Sequence, residues 1–519
     1  MEYNIVMVNP TVQTSNGITF LNPLSAVYSQ QYMKSQLESN GADPSRLHFL
    51  PQNRPISRSS REMSRDDVLY TLGCRILETF DQDCLNVLGI TNYHGTTVDS
   101  MCLAEHVKLQ AKAAGLQTMI IGGGPSVARE SFSKRLDFPD SATALLLQCI
   151  GTGSGPQIYD GVVQGGTKAL VGLLGMIEQN QVKSEGGIYV PNTLPQGYYL
   201  FDKSSGKILG EGTSSTPVLS SAPFIAYYGS GPDVIEKTKL VLMFTNRCEN
   251  ACGFCSLGNK FKFSVDQIRD GVREAIQQYA SALPHIKEGM FKLEDPNPLS
   301  RANIEHTYAC FDALESELGF SRPKYMFVDS TLFKDPNLVL KHVEDLNIRQ
   351  MYVGRDAVTE LGADFMQTKT CGTVKTQDDL RDERKGLEEV IRKAKERGRE
   401  LDISVSYIIT PVETKESLEE IFEDMKTLKE LSDENVKVKI GMHLLSPHPR
   451  SKVIHSHTNL LAKNYEDVYL SDDEFDMWNL AAILREHPDS AFELIQEKLP
   501  SLRGGMLYAD WNHNIVRSL

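Results

Sequence analysis

The chain has 519 residues, of which 40% are apolar and 24% are charged, and its formal net charge is −14 at pH 7. These are globular values, and the length predicts more than one domain, because single cores stop growing near about 250–300 residues. The acidic balance disfavours nucleic acid and anionic membranes as partners. No apolar run approaches the roughly 18 residues of a membrane span, and Met1–Asn4 lacks a basic signal region. A cytoplasmic protein with reduced thiols is therefore expected.

The N-terminal 165 residues alternate predicted strands with predicted helices. Apolar runs at 5–8, 86–90 and 118–121 indicate buried strands, and helices are predicted at 24–39 and 98–114. Such alternation predicts a Rossmann-like parallel sheet, in which ligands bind at the carboxyl ends of the strands.

Loops rich in glycine lie at this edge of the predicted sheet. Gly122, Gly123, Gly124 and Pro125 directly follow the strand at 118–121, and Gly151-Thr152-Gly153-Ser154 forms a second such loop. Glycine lets a large flat or phosphorylated ligand approach the backbone, although a tight turn explains such a run equally well.

A second alternation of strands and helices begins at residue 238. Before it, residues 166–237 accumulate glycine, serine and proline, which predicts a linker. Six strands are then predicted, at 239–245, 289–294, 324–329, 349–354, 401–409 and 436–445. Helices are predicted between them and after them, at 265–282, 303–318, 336–345, 378–398 and 415–431. This succession predicts a parallel (β/α)6 partial barrel with its chemistry at the strand ends.

Three of the nine cysteines fall within eight residues, directly after the strand at 239–245. They are Cys248, Cys252 and Cys255, spaced C-x3-C-x2-C. A loop with these spacings can point three thiolates at one metal cluster, and three thiolates leave one iron of a [4Fe–4S] cluster open to a ligand that is not protein. A structural zinc site, or three unrelated core cysteines, is the alternative. Zinc usually takes four ligands in two pairs, however, and the chain has no second C-x2-C pair.

The cysteine spacing, together with the aromatic Phe254 before its last cysteine, is similar to that of radical SAM enzymes. The order of the N-terminal loops resembles the cobalamin-dependent branch of that family. The resemblance implies four segments, which are a cobalamin-binding domain at 1–165, a linker at 166–237, a radical SAM partial barrel at 238–450 and a capping segment at 451–519.

The same resemblance implies three cofactors. A [4Fe–4S] cluster is expected on the three cysteines, with S-adenosylmethionine on its open iron beside Phe254. Cobalamin is expected on the N-terminal loops, at Asn9, Thr91, Gly122, Gly123, Gly124, Pro125, Gly151 and Gly153. Two departures leave open a degenerate domain that binds no cobalamin. The loop from Asn9 to Asn22 lacks the histidine of the Asp-x-His-x-x-Gly motif, and the usual Gly-Glu-Gly-Glu has lost both carboxylates.

Charged residues at the ends of the barrel strands are further candidates from the resemblance. Glu294 and Asp295 close the second predicted strand, where the family positions polar groups near the amino group of S-adenosylmethionine. Arg355 closes the fourth, and a cation there suits the cofactor carboxylate. A salt bridge or a solvated charge is the alternative for each.

The resemblance implies an enzyme that methylates an unactivated carbon, or phosphorus, of a small natural-product-like substrate. In that family a 5′-deoxyadenosyl radical abstracts hydrogen, methylcobalamin delivers the methyl group, and a reducing system such as flavodoxin or ferredoxin supplies electrons. Rearrangement, ring contraction or dehydration without methyl transfer is an alternative outcome. From a different class, a cluster-bearing binding or electron-transfer module remains open.

Overall fold

The computed structural model describes most of two compact units, one within Met1–Ser220 and one within Ser221–Pro447. The described residues are 2–8, 12–14, 18–20, 33, 37–39, 41–50, 65–91, 97–123, 158–164, 168–185, 187–202, 207–210, 212, 240–250, 252–255, 262–278, 290–370, 372–410 and 412–444. Among the helices they form, none combines the length and the apolar character that crossing a membrane requires.

The first unit is an α/β structure built on one sheet of seven strands. Its strands are β1 (Tyr3–Val8), β2 (Val12–Thr14), β3 (Ile18–Phe20), β4 (Leu47–Leu50), β5 (Leu85–Thr91), β6 (Thr118–Gly123), β7 (Gly161–Val163), β8 (Val182–Glu185), β9 (Ile188–Pro191), β10 (Tyr198–Asp202) and β11 (Lys207–Leu209). Its helices are α1 (Arg65–Glu78), α2 (Thr97–Ala113) and α3 (Lys168–Glu178), with a 3₁₀ turn at Pro44–Arg46. The pairs β2–β3 and β8–β9 form separate hairpins.

The main sheet of this unit has the order β11-β10-β7-β6-β5-β1-β4. Strands β4, β1, β5, β6 and β7 are mutually parallel, whereas β10 and β11 are antiparallel additions at one edge. In chain order the parallel strands run 2-1-3-4-5, so the winding direction reverses between β1 and β5. Ligands of such sheets bind outside the carboxyl ends at that reversal, and the loops after β1 and β5 flank it.

Both faces of this sheet are buried. Val6, Leu88 and Ile120 belong to one apolar cluster, and Ile5 and Met119, from the same strands, belong to another. Because side chains alternate along a strand, neighbouring residues enter opposite layers. Consecutive apolar runs, on which the strand predictions rested, are what such double burial requires.

Residues 168–209 differ from the linker predicted over 166–237. They form α3 and β8 to β11, and β10 pairs with β7 in the main sheet. Ala169, Leu170 and Leu173 of α3 are buried in the core of the first unit. The glycines of α3 (KALVGLLGMIE) made a short, almost wholly apolar helix look like a loop. The limits of the predicted domains otherwise stay a prediction.

The second unit alternates strands and helices. Its strands are β12 (Leu240–Leu242), β13 (Phe291–Leu293), β14 (Lys324–Asp329), β15 (Ile348–Arg355), β16 (Lys369–Thr370), β17 (Thr373–Val374), β18 (Leu401–Ile409) and β19 (Val436–Leu444). Its helices are α4 (Val265–Gln278), α5 (Ile304–Leu318), α6 (Pro336–Asp345), α7 (Glu360–Met366), α8 (Gln377–Glu396) and α9 (Lys415–Glu430), with a 3₁₀ turn at Ser330–Lys334.

Six of these strands form a parallel sheet in unbroken chain order, β12-β13-β14-β15-β18-β19. Right-handed crossovers between successive strands all place their helices on the same face, which is how a barrel wall is built. The predicted fold class, an α/β chain with a Rossmann-like sheet followed by a six-stranded partial barrel, is confirmed. The segment at 451–519 and most of the helix predicted at 24–39 lie outside the described residues.

Helix starts in the second unit follow from local capping chemistry. Thr376 and Asp379 form a capping box at the start of α8, and Thr414 and Ser417 form another at the start of α9. The Asp335 carboxylate accepts from Leu338 N at the start of α6. Each contact satisfies backbone N–H groups that a first helical turn leaves without a partner.

Candidate functional site

The three cysteines lie on one loop at the carboxyl end of β12, the first strand of the partial barrel. The thiols of Cys248, Cys252 and Cys255 are all half-buried. In the second unit the ends of the parallel strands share one edge, so this loop lies at the edge where such folds carry their chemistry.

Two polar side chains hold the beginning of this cysteine loop. The Asp295 carboxylate accepts hydrogen bonds from Phe244 N (2.8 Å) and Thr245 N (3.1 Å). Asn303 Nδ2 donates to Arg247 O at 3.1 Å. The chain is thereby fixed on both sides of the turn that leads from β12 to Cys248.

The second half of the loop is held by the backbone that follows α7. Gly253 N donates to Gln367 O (3.0 Å), Phe254 N donates to Met366 O (3.1 Å), and Lys369 N donates to Cys252 Sγ (3.2 Å). Phe254 packs against a buried apolar cluster made by Ala357, Ala363, Phe365, Met366 and Leu380. Burial raises the pKa of the Cys252 thiol to about 12.

A polar network lies beside this loop at the end of β14. The Asp329 carboxylate accepts from the side-chain amides of Asn250 and Asn297, the latter at 2.9 Å, and from Thr331 N at 2.9 Å. Asn250 lies between two of the cysteines, so the network ties the loop to its neighbouring strand.

The described residues contain no group of three His, Cys, Asp or Glu side chains arranged to hold a single metal ion. A [4Fe–4S] cluster binds each thiolate at a different iron, so its ligands need not meet at one ion. Three partly accessible thiols on one short loop match that donor set, whereas the described residues provide no fourth ligand for a zinc site. The residues present therefore fit an iron–sulfur cluster with three protein ligands.

The charged residues at the strand ends point in two directions. Along β13, Asp295 shares the alternation of Phe291 and Leu293, and it is fully buried. Its hydrogen bonds to the backbone after β12 make it a structural support, and burial raises its pKa to about 8. Glu294 points to the opposite face, where it forms an ion pair with Lys292.

Arg355 lies in a buried salt bridge, which was the alternative to cofactor binding. Its Nε and Nη2 donate to the two carboxylate oxygens of Asp424, at 3.0 and 3.1 Å, and Nη1 donates to Leu380 O at 3.3 Å. Asp424 also accepts from Tyr407 Oη at 2.7 Å. The guanidinium is thus directed toward α8 and α9, and the arrangement supports the structural interpretation.

Asp356, the next residue, is the strand-end carboxyl group that faces the other way. It is half-buried, and none of the described residues donates a hydrogen bond to it. Burial raises its pKa to about 6, and the ammonium of Lys375 opposes that rise. A Cβ built on Gly354 would lie 3.1 Å from both Asp356 Oδ1 and Phe327 Cζ, so a larger residue there would crowd this carboxyl group.

Strand alternation was the signal that separates these residues. Arg355 lies two residues after the buried Val353, and Asp295 lies two residues after the buried Leu293, so both share the face of buried apolar side chains. Asp356 and Glu294 are offset by one residue and share the other face, with half-buried polar side chains. The family resemblance indicates the strand ends but does not distinguish the two faces of the sheet.

The two faces of the second sheet have opposite character. One carries fully buried apolar side chains, including Met326, Val353, Ile403 and Ile440. The other carries polar and aromatic side chains, namely Lys292, Glu294, Tyr325, Phe327, Gln350, Tyr352, Asp402, Ser404, Ser406 and Lys439. We call the second set the inner face. Its acids and bases include the pair of Lys439 Nζ and Asp402 Oδ2, 3.4 Å apart.

In the first unit, the structure describes only part of the predicted cobalamin edge. Thr91 and Gly123 are register partners at the ends of β5 and β6. Among the described residues, a Cβ built on Gly123 would meet only Val163 O, at 3.8 Å, which is an ordinary van der Waals contact. Asn9, Gly124, Pro125, Gly151 and Gly153 lie outside the described residues.

Sequence reasoning missed α7 and the β16–β17 hairpin, which together contact the cysteine loop. The start of α7 had a readable signal, because Thr359 Oγ1 accepts from Gly362 N as an N-cap. The helix has only seven residues, too few for a helical period to be recognised.

No protein-family model and no curated protein sequence matches this chain. Among solved structures it resembles TsrM from Kitasatospora setae, described as a radical S-adenosylmethionine methyltransferase with cobalamin and a [4Fe–4S] cluster bound. The TM-score is 0.54 and the identity 14%, over 89% of this chain and 79% of the TsrM chain.

It also resembles OxsB, described as a cobalamin-dependent S-adenosylmethionine radical enzyme. The TM-score with apo OxsB is 0.53 at 11% identity, over 90% of this chain and 61% of that one. With aqua-cobalamin and S-adenosylmethionine bound to OxsB, the TM-score is 0.50 at 11% identity, over 98% and 58% of the two chains. The chain therefore spans less than two thirds of OxsB.

This chain has the fold of the cobalamin-dependent radical SAM enzymes. The expected resemblance is confirmed at the level of fold, over most of the chain. Identities this low carry neither the reaction nor the substrate with them, and both have to be argued from the site.

Proposed function

We propose that this protein is a cobalamin-dependent radical SAM methyltransferase that acts on an unactivated carbon, or on phosphorus, of a small natural-product-like substrate. The observation that carries the proposal is the position of Cys248, Cys252 and Cys255 on one loop, at the carboxyl end of a parallel strand whose sheet presents a polar inner face. TsrM, whose fold this chain resembles, is described as a methyltransferase, which makes methyl transfer the first reaction to test.

The three cysteines would hold the cluster, and a [4Fe–4S] cluster with one open iron supplies a single electron to S-adenosylmethionine bound there. Glu294 and Asp356 are the strand-end carboxyl groups on the side of the inner face, and they would accept hydrogen bonds from the cofactor's amino or hydroxyl groups. Asp295 and Arg355 lie on the opposite, apolar face of the sheet and would stabilise the site through structural contacts. Their partners are the backbone after β12 and Asp424.

Cobalamin would be held by the first unit at the carboxyl ends of β1, β5 and β6. The reversal of winding between β1 and β5 is where sheets of this order bind large cofactors. Glycine at position 123 fits the approach of a flat ligand to the backbone, since none of the described residues crowds its α-carbon. Asn9, Thr91 and the glycine loops keep their predicted role here.

The substrate would lie against the inner face, where the aromatic side chains are partly buried and the serines of β18 are buried. Aromatic rings at Phe327 and Tyr352, 5.7 Å apart, and the hydroxyls of Ser404 and Ser406 offer apolar and polar contacts together. Such a mixed lining suits a small organic molecule. A reducing partner such as flavodoxin or ferredoxin completes the proposal.

The test is anaerobic reconstitution with iron, sulfide and hydroxocobalamin, followed by desalting and metal analysis. We expect about four iron atoms per chain together with near-stoichiometric cobalt. S-adenosylmethionine carrying a labelled methyl group should then label the product in a substrate screen. Iron without cobalt would overturn the methyltransferase and favour a rearrangement or a dehydration.

Two variants separate the two cofactor sites. Replacing Cys248, Cys252 and Cys255 by alanine together should abolish iron uptake and leave cobalt uptake unchanged. Gly123→Leu should do the reverse, because its side chain adds bulk at the carboxyl end of β6, where cobalamin would lie, while Gly123→Ala serves as the mild control. Loss of both metals in either variant would show that it had unfolded or that the two sites are not independent.

A further inference from the structure

The segment Met366 to Lys369, which begins at the last residue of α7, contacts the cysteine loop through three backbone groups, namely Met366 O, Gln367 O and Lys369 N. We propose that this segment, called the loop clamp, pre-orders the cysteine loop, and that Lys369 N–H acts as a positioning group that donates a hydrogen bond to a cluster-ligating sulfur. The inference rests on the proposed function, since it concerns the same cluster.

Close backbone approach is the first observation behind the loop clamp. Gly253 N and Phe254 N donate to the carbonyls of Gln367 and Met366, at 3.0 and 3.1 Å. A Cβ on Gly253 would lie 2.7 Å from Gln367 Cβ, which is closer than real Cβ contacts allow, and 3.0 Å from Met366 O, which is a tight contact. The glycine between the last two cysteines is therefore required by the clamp.

The geometry of the β16–β17 hairpin explains why Lys369 N–H is available to sulfur. Lys375 N donates to Thr368 O at 2.9 Å, and Lys369 is the register partner of Val374. In an antiparallel pair the hydrogen-bonded positions alternate, so the N–H of Lys369 points away from the partner strand. It donates instead to Cys252 Sγ, at 3.2 Å.

The loop clamp is itself anchored at both ends by buried side chains. At the start of α7, Thr359 Oγ1 donates to Glu413 Oε2 at 3.0 Å, and Glu413 also accepts from Thr410 and Ser417. After the hairpin, Lys375 Nζ donates to Ser330 Oγ (2.8 Å) and Glu383 Oε2 (2.9 Å). Supporting contacts of this kind hold a ligand loop in one geometry.

A hydrogen bond to a ligating sulfur has a chemical consequence for the cluster. It draws electron density from the thiolate and so favours the reduced state, which raises the reduction potential. A loop that is ordered before iron arrives also loses less conformational freedom on ligation. The clamp therefore acts on cluster potential and on cluster retention.

Lys369→Pro tests the donor, with Lys369→Ala as its matched control. Proline removes the N–H, which the hairpin ladder does not use, whereas alanine removes the side chain and keeps the N–H. The reconstituted proteins are compared by iron content, by the midpoint potential from an electron paramagnetic resonance titration, and by the rate of iron loss to a chelator.

We expect the proline variant to show a more negative midpoint potential and iron loss that is about 10-fold faster, with the alanine variant matching the wild type. Equal midpoint potentials and equal rates of iron loss in all three proteins would overturn this inference and leave the proposed function standing. A wild-type protein that takes up no iron would overturn the proposed function and this inference with it.

Hydrogen exchange in the unreconstituted wild type gives a test that needs no variant. The amides of Gly253, Phe254 and Lys369 should exchange more slowly than unprotected amides of the same sequence, because each donates to the clamp or to Cys252. Gly253→Ala should lower the protection at Phe254. Exchange at the unprotected rate in the wild type would show that the clamp does not pre-order the loop.

Discussion

The two parallel sheets of this chain use their faces differently. Both faces of the first sheet are apolar and buried, so neighbouring residues such as Met119 and Ile120 enter separate cores. In the second sheet only alternate residues are buried apolar ones, and their neighbours form the polar inner face. The first sheet can therefore offer a ligand only the loops at its strand ends, whereas the second can also offer the whole length of its strands.

Buried ion pairs give the largest expected difference between the two units. Asp424→Asn would leave Arg355 charged and fully enclosed, so we expect unfolding of the second unit to become easier by about 3–5 kcal/mol. Asp160→Asn in the first unit should cost about 1–3 kcal/mol, because its partner Lys108, 17% exposed, can still reach water.

Native-state hydrogen exchange of β15 and β6 amides reports each unit separately. Glu400→Gln, in the exposed pair with Arg349, is the control, with an expected change below about 0.5 kcal/mol. An Asp424→Asn cost no larger than that of the control would contradict the burial of this pair.

Single truncations on one strand test the comparison directly. Met119→Ala and Ile120→Ala are adjacent in β6, and both should cost about 2–5 kcal/mol because both side chains are fully buried. Ile403→Ala in β18 should cost a similar amount, whereas Ser404→Ala beside it should cost below about 1 kcal/mol. Denaturant dependence of hydrogen exchange in β6 and β18 provides the measurement. A serine variant as unstable as Ile403→Ala would mean that the inner face is packed core.

The sequence predicts local features of the fold better than it predicts contacts between distant segments. The strand predicted at 401–409 coincides with Leu401–Ile409, and the helix predicted at 336–345 coincides with Pro336–Asp345, because periodicity and capping residues are local signals. The side-chain direction of Asp295 and Arg355 also follows from local strand alternation. It assigns these residues a role, however, only when it is known which face of the sheet is covered by helices. The contacts of the loop clamp join residues more than a hundred positions apart and follow from no local pattern.

Titration of Asp295 tests whether this strand-end carboxyl group is as fully buried as the structure shows. Burial raises the pKa of this carboxyl group to about 8, so the folded state keeps a proton that the unfolded chain loses near pH ~3.9. Its contribution to stability is full below the unfolded pKa and is lost as the pH rises toward about 8. The stability of the wild type relative to Asp295→Asn should therefore fall over that interval.

Asp379 supplies a control of opposite sign for this titration. Its hydrogen bond from the ammonium of Lys334 lowers its pKa to about 2, so its contribution is present above the unfolded pKa and is lost as the pH falls toward about 2. At acid pH the stability of Asp379→Asn should therefore approach that of the wild type. Over the same pH range, the wild type should exceed Asp295→Asn in stability by the largest margin. A pH-independent difference between wild type and Asp295→Asn would mean that this carboxyl group is ionised in the fold, and that the backbone after β12 is held by a charge.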